Sequence, residues 1–151
     1  MLKDYQWGCA DMKTEQIDKV RASYGRCLQN NRFMDKFYER FLNSNPEIKV
    51  RFQNTDFGKQ KQLLSHGLNM MIMFTKGNKI AETVVNRIRD SHNSNNMDIR
   101  LDLYRFWKNS LIQTIKECDT LIDNDTVIAW NEVLQIGIDY IVSGYEARKT
   151  A

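Results

Sequence analysis

The chain is 151 residues long, 42% hydrophobic and 27% charged, and its 22 basic and 19 acidic residues leave a formal net charge of +3. That length suits one domain around a single core and leaves little room for a second. The charges are spread without a long run of one sign, which describes a solvated surface rather than a nucleic-acid footprint. The longest apolar run, 70–74, is far too short to cross a bilayer, and the opening MLKDYQWGCADMK lacks the apolar stretch of a signal peptide. No membrane role and a cytoplasmic location are therefore expected. Cys9, Cys27 and Cys118 are odd in number, far apart and without metal-site spacing, which fits a reducing compartment better than a disulfide framework. One proline, seven glycines and no internal repeat favour an all-α domain.

Residues 1–12 form a weakly patterned leader in which Tyr5 and Trp7 could fold back on the domain. From Thr14, a good N-cap, Ile17, Val20, Tyr24 and Leu28 mark a first helix. A second helix, about 32–43, is unusually aromatic: Phe33, Phe37 and Phe41 form one stripe and Met34, Tyr38 and Leu42 the next. Asn45-Pro46-Glu47 starts a short helical turn, because proline suits a first turn and keeps the residue before it out of helix. A long helix, about 59–76, carries Leu63, Leu64, Gly67, Met70, Met71 and Phe74 on one face, with His66 at the margin of that face. Gly77-Asn78 ends it.

Ile80, Val84, Val85 and Ile88 then recur at helical spacing and lead into Ser91-His92, after which the polar run 93–96 breaks the helix. An imidazole at such a helix end can point into a cavity between elements, as an axial haem ligand does, or can lie part-exposed on the surface. A further helix is expected over about 98–118, with Leu101, Tyr104, Trp107, Leu111, Ile112 and Ile115 inward. A last one, about 125–145, is capped by Asp123-Asn124-Asp125 and buries Val127, Trp130, Val133, Leu134, Ile138 and Ile141. The domain then spans 13–147, and 148–151 is expected to fray.

Six to eight helices, a proline-started corner with phenylalanine six residues on (Pro46, Phe52), the Ser91-His92 pair and Trp130 in the last helix form a specific combination in a fixed order. Together they resemble the globin family, over about residues 14–145, and specifically a bacterial single-domain haemoglobin similar to the globin domain of globin-coupled sensors. The resemblance implies the globin fold around a haem pocket, with haem b (iron protoporphyrin IX) as cofactor. It makes His92 the proximal ligand of the iron and Phe52 a ring stacked on the haem. Phe37, Leu101, Phe106, Leu134 and Ile138 become candidate pocket walls, though each also serves as plain core. Counting fourteen residues back from Phe52 along the family pattern reaches Tyr38, where many bacterial globins place a distal tyrosine whose hydroxyl donates to bound oxygen.

Two registers compete on the long helix. In one, His66 is the distal residue and a possible sixth ligand, with Gly67 the small residue where the second helix crosses and Met70 and Phe74 behind it. In the other, Leu63 is distal and His66 sits toward the haem edge. Gly67 favours the first register. The interval to His92 favours the second: Leu63 lies 29 residues before it, as is common in animal globins, and His66 only 26.

The expected function is reversible binding of O2, and also CO and NO, for oxygen transport or gas sensing. The alternatives are a gas-sensor domain that signals through a partner, with a homodimer among the possibilities, and an NO dioxygenase. The sequence departs from flavohaemoglobins in that no flavin or nicotinamide domain follows, so NO turnover would need an external reductase. Its His92–Tyr104 interval is also longer than that family's usual approach to the following tyrosine, which argues against a tuned network on the proximal side.

Overall fold

Polar caps and one left-handed glycine set where most of the helices begin and end. The computed structural model describes residues 12–93 and 97–150, with side chains as far as Tyr145. The leader with Tyr5, Trp7 and Cys9, and the stretch 94–96, lie outside the described residues. Among those residues there are seven helices and no strand: α1 (Thr14–Gln29), α2 (Phe33–Leu42), α3 (Pro46–Arg51), α4 (Phe57–Thr75), α5 (Lys79–His92), α6 (Leu103–Cys118) and α7 (Asn124–Thr150). No described helix is long and apolar enough to cross a membrane.

Asn45, Asp56 and Asn78 each accept a backbone N–H of the first turn of the helix they precede, at 2.8, 3.3 and 3.0 Å. Asp123 accepts both the N–H and the hydroxyl of Thr126 at the start of α7. Thr14 is not the cap expected of it. Lys13 holds that position, and the Gln16 side chain reaches back to its N–H at 2.9 Å, so Thr14 is the first helical residue. Gly77, with φ +80, adopts the left-handed conformation that stops α4.

The expected start of α6 at residue 98 is corrected to Leu103. Asp98 has φ 51, which no helix accommodates, and the Arg51 guanidinium on α3 donates to the carbonyls of Met97 and Asp98 at 3.2 and 3.1 Å. At the other end of the fold, α7 continues to Thr150, past the expected end at Tyr145.

Helix α2 lies on α6, α5 on α7, and α4 touches α1, α5 and α7 together. The fully buried side chains Phe33, Phe37, Leu68, Ile72, Leu111, Trp130 and Leu134 form the centre, each contributing roughly 1.5–3 kcal/mol by leaving water. One polar chain is threaded through this core. The Trp130 indole N–H donates to Ser23 Oγ at 2.9 Å, and Arg26 forks onto the wholly buried Asp119 carboxylate at 2.6 and 2.9 Å. The inward faces expected for α1, α4 and α6 need correction: Leu28, Leu63 and Leu101 are exposed, whereas Leu68 and Ile72 are core.

Candidate functional site

His92 is the last residue of α5, and its ring folds back on the carbonyl of Ile88, one turn earlier. Nδ1 lies 2.9 Å from that Ile88 oxygen and 3.0 Å from Ser91 Oγ. A carbonyl oxygen only accepts, so Nδ1 carries the proton. The Ser91 hydroxyl sends its own proton to the same carbonyl at 2.9 Å. Nε2 is left with an uncommitted lone pair. Burial lowers the imidazole pKa below its ordinary value, opposed by the bond to Ile88, so the ring is neutral at neutral pH. A neutral imidazole with a fixed tautomer and a free Nε2 is the state in which histidine binds a metal.

The Tyr104 ring tilts against His92 at 6.4 Å between centroids, so the longer loop does bring the two rings together. The Tyr104 hydroxyl is buried with no protein partner, and burial raises its pKa. On α4, Gly67 faces α5: a Cβ there would lie 3.8 Å from Ile88 Cδ1. Met71, one turn on, packs against Gly137 of α7 so closely that a Cβ at 137 would overlap its side chain.

Helices α2 and α3, with Phe57 of α4, supply a nest of rings. Tyr38 is buried and contacts Phe37, Phe52 and Phe57 at 4.9, 6.2 and 5.4 Å, and Phe52 meets Phe41 and Phe57 at 5.8 and 6.2 Å. The Tyr38 hydroxyl reaches the Gln60 carbonyl only at 3.5 Å, and its pKa is pushed up to about 12 by burial. It is a protonated donor with a weak partner.

Of the other residues singled out from the sequence, Leu134 and Ile138 are buried on α7, and Phe106 is half-buried beneath the Arg105 guanidinium. Leu64 and Met70 are half-buried against the core. Leu63 is 56% exposed at the outer margin of α4, and Leu101 is exposed in the turn before α6.

His66 is not brought to this region. It is exposed on the side of α4 that faces α1, where it lines a cleft of about 600 Å³ with Tyr24, Gly25 and Asn69.

Sequence reasoning passed over Phe57 and Arg51. Phe57 follows the Asp56 cap, a signal that could have been used, because a capped first turn presents its next aromatic to the preceding helix. Arg51 carries no local signal, since it acts on carbonyls 46 and 47 residues away. Its neighbour Glu47 accepts from Arg51 at 3.3 Å and from Arg100 at 2.6 Å. Helix α3 is thereby tied to the loop that follows His92.

Among the described residues no three His, Cys, Asp or Glu side chains converge as a bare-ion site. His92 offers a single donor, which is what a prosthetic group that brings the rest of its coordination sphere with it asks of a protein.

No family model matches the chain, and no curated protein matches it. A crystal structure of a Pseudomonas aeruginosa PAO1 protein, described as structurally highly homologous to a human haemoglobin, is similar to it. The similarity has a TM-score of 0.82 at 36% sequence identity and covers 86% of this chain and 98% of that one.

Proposed function

The chain belongs to the globin family, and on that premise we propose that it is a haem b protein that reversibly binds O2, CO and NO, with His92 the protein ligand of the iron. The observation that carries the proposal is the Nδ1–H bond to the Ile88 carbonyl at 2.9 Å, which leaves Nε2 unprotonated. When bound, the haem supplies the iron that takes up the diatomic gas.

The rest is done by this chain. Ile88 and Ser91 fix the tautomer and orientation of the ligating ring and raise its basicity. Phe52 and its neighbours keep water away and lower the local dielectric. Tyr38 holds its proton at any physiological pH and offers it as a hydrogen bond to a gas that carries partial negative charge, which favours O2 over CO. His66 lies on the side of α4 turned toward α1, which supports an iron whose sixth position is left to the gas. Catalytic NO dioxygenation would call on an external reductant, and gas sensing on a partner.

Absorption spectra of the ferric, ferrous and ferrous-CO protein test the proposal. A Soret band that shifts on reduction and on CO, and that is lost or strongly altered in His92→Ala, is expected. A protein without a Soret band after reconstitution with hemin, or an unchanged band in His92→Ala, would overturn it. A single broad visible band in the unliganded ferrous form is expected, whereas sharp split bands would point to an internal sixth ligand and refute an open gas position.

A further inference from the structure

On the face of α4 turned away from α5, the cleft against α1 has the composition of a ligand site. Its volume, about 600 Å³, lies within the range of small-molecule sites. Its floor is apolar, formed by the buried Ile72 and the ring of Tyr24, whose hydroxyl is already committed to the Ser65 carbonyl at 2.9 Å. Leu28, 47% exposed, continues that apolar surface outward.

Polar groups converge above the floor. The amides of Gln62 and Asn69 and the imidazole of His66 all line the cleft from α4, and the Arg21 guanidinium lines it from α1. No carboxylate lines it. Of the nearby cations of α4 and its C-cap, Lys76 pairs with Asp18 of α1 at 3.7 Å and Lys61 with Asp35 of α2. Arg21 makes no ion pair or hydrogen bond among the described residues. Among those residues it is a planar donor without a partner, at the edge of an apolar floor.

Gly25 makes the space. It sits in the middle of α1, where glycine costs about 1 kcal/mol relative to alanine, and a Cβ there would meet nothing within 4 Å. No neighbouring side chain therefore requires a glycine at this position. Its missing side chain instead widens the cleft beside Arg21, which stands one turn earlier on the same face.

We propose that this cleft binds a small organic monocarboxylate with an apolar body, its carboxylate on Arg21 and the α4 amides and its apolar part over Tyr24 and Ile72. One guanidinium matches one carboxylate in a two-bond fork, whereas a phosphate dianion would call for more positive charge than the cleft holds. The site is separate from His92 and does not depend on haem.

The experiment is a ¹H–¹⁵N correlation titration of the purified full chain, in its diamagnetic CO form where it carries haem, with benzoate and hexanoate as probes and inorganic phosphate as comparison. Saturable shifts are expected at the amides of Arg21, Gly25, Gln62, His66 and Asn69 with both carboxylates and not with phosphate. Arg21→Gln should weaken binding about tenfold, the loss of one charge-assisted contact. Gly25→Leu should abolish binding by filling the cleft while keeping or raising Tm, so that its effect is not mistaken for unfolding. Shifts that never saturate, that survive both substitutions, that fall on other residues, or that phosphate reproduces through Arg21 would each overturn the proposal.

Discussion

Replacing Tyr38 with phenylalanine removes one oxygen atom and separates the role of that hydroxyl in gas binding from any role in the fold. In the folded chain the hydroxyl is 3.5 Å from the Gln60 carbonyl, well beyond the roughly 2.7–2.8 Å of a good O–H···O bond. Its loss should therefore change stability by no more than about 0.5 kcal/mol, while the ring keeps its contacts with Phe37, Phe52 and Phe57. Toward bound O2 the same hydroxyl would be a fully protonated donor in a dry site, because burial pushes its pKa up to about 12. A hydrogen bond to a charged acceptor contributes about 1.5–3 kcal/mol, and each 1.4 kcal/mol is a factor of ten. The O2 dissociation rate of Tyr38→Phe, read by stopped-flow mixing with CO, should rise by about one to two orders of magnitude. CO dissociation, from a ligand of low polarity, should change only a few-fold. An O2 off-rate within a factor of two of the parent, with Tm unchanged, would refute a hydrogen bond from Tyr38.

Ser23→Ala strands the buried Trp130 indole N–H and should cost about 1–3 kcal/mol, seen as a lower urea midpoint at unchanged slope. Arg26→Met leaves the buried Asp119 carboxylate without its fork and should cost about 3 kcal/mol, the lower end for a broken buried pair because the guanidinium is partly exposed. The same pair governs acid stability. Burial alone would raise the Asp119 pKa, but Arg26, Ser23 and the Leu121 N–H outweigh it and hold the carboxyl below its ordinary value. A folded pKa below the unfolded one, about 3.9, gives stability that is present above pH 4 and lost as pH falls through the folded value. Arg26→Met should flatten that acid limb in pH-dependent urea melts. Gly137→Ala would drive a Cβ into the Met71 side chain and should cost about 1–3 kcal/mol in the parent but close to nothing in a Met71→Ala background, a coupling read from the four thermal melts of the cycle.

Much of the fold could be read from local chemistry because local chemistry decides it. Asn45-Pro46, Asn78 and Asp123 cap the helices the sequence implied, and Gly77 closes α4 in the left-handed conformation expected of it. The start of α6 could not be read in this way. Ile99, Leu101 and Tyr104 look like the beginning of an apolar stripe, yet the backbone at Asp98 is left-handed and is held by an arginine on another helix. A constraint delivered from Arg51 leaves no trace in the periodicity of the segment it constrains. The His92 end of α5 was readable because its lock is made within one helical turn, from Ile88 and Ser91 to the imidazole.

Helix α4 was the hardest element to orient, and the reason is its position. A helix packed on one neighbour has one apolar stripe, but α4 touches α1, α5 and α7, so apolar residues recur on three sides and no single face stands out. Leu68 and Ile72 are core, Met71 meets α7, Gly67 meets α5, and Leu63, which the spacing alone assigns inward, reaches solvent. A glycine in such a helix signals close approach without naming the partner. The sequence suggested α2 crossing over Gly67, and the nearest side chain is Ile88 of α5. His66 follows from the same geometry. Gly67 turns toward α5, and its neighbour His66 turns with Ser65 and Asn69 toward α1. The two histidines of this chain therefore lie on different surfaces: His92 packs half-buried against Tyr104, whereas His66 is exposed in the cleft beside Arg21.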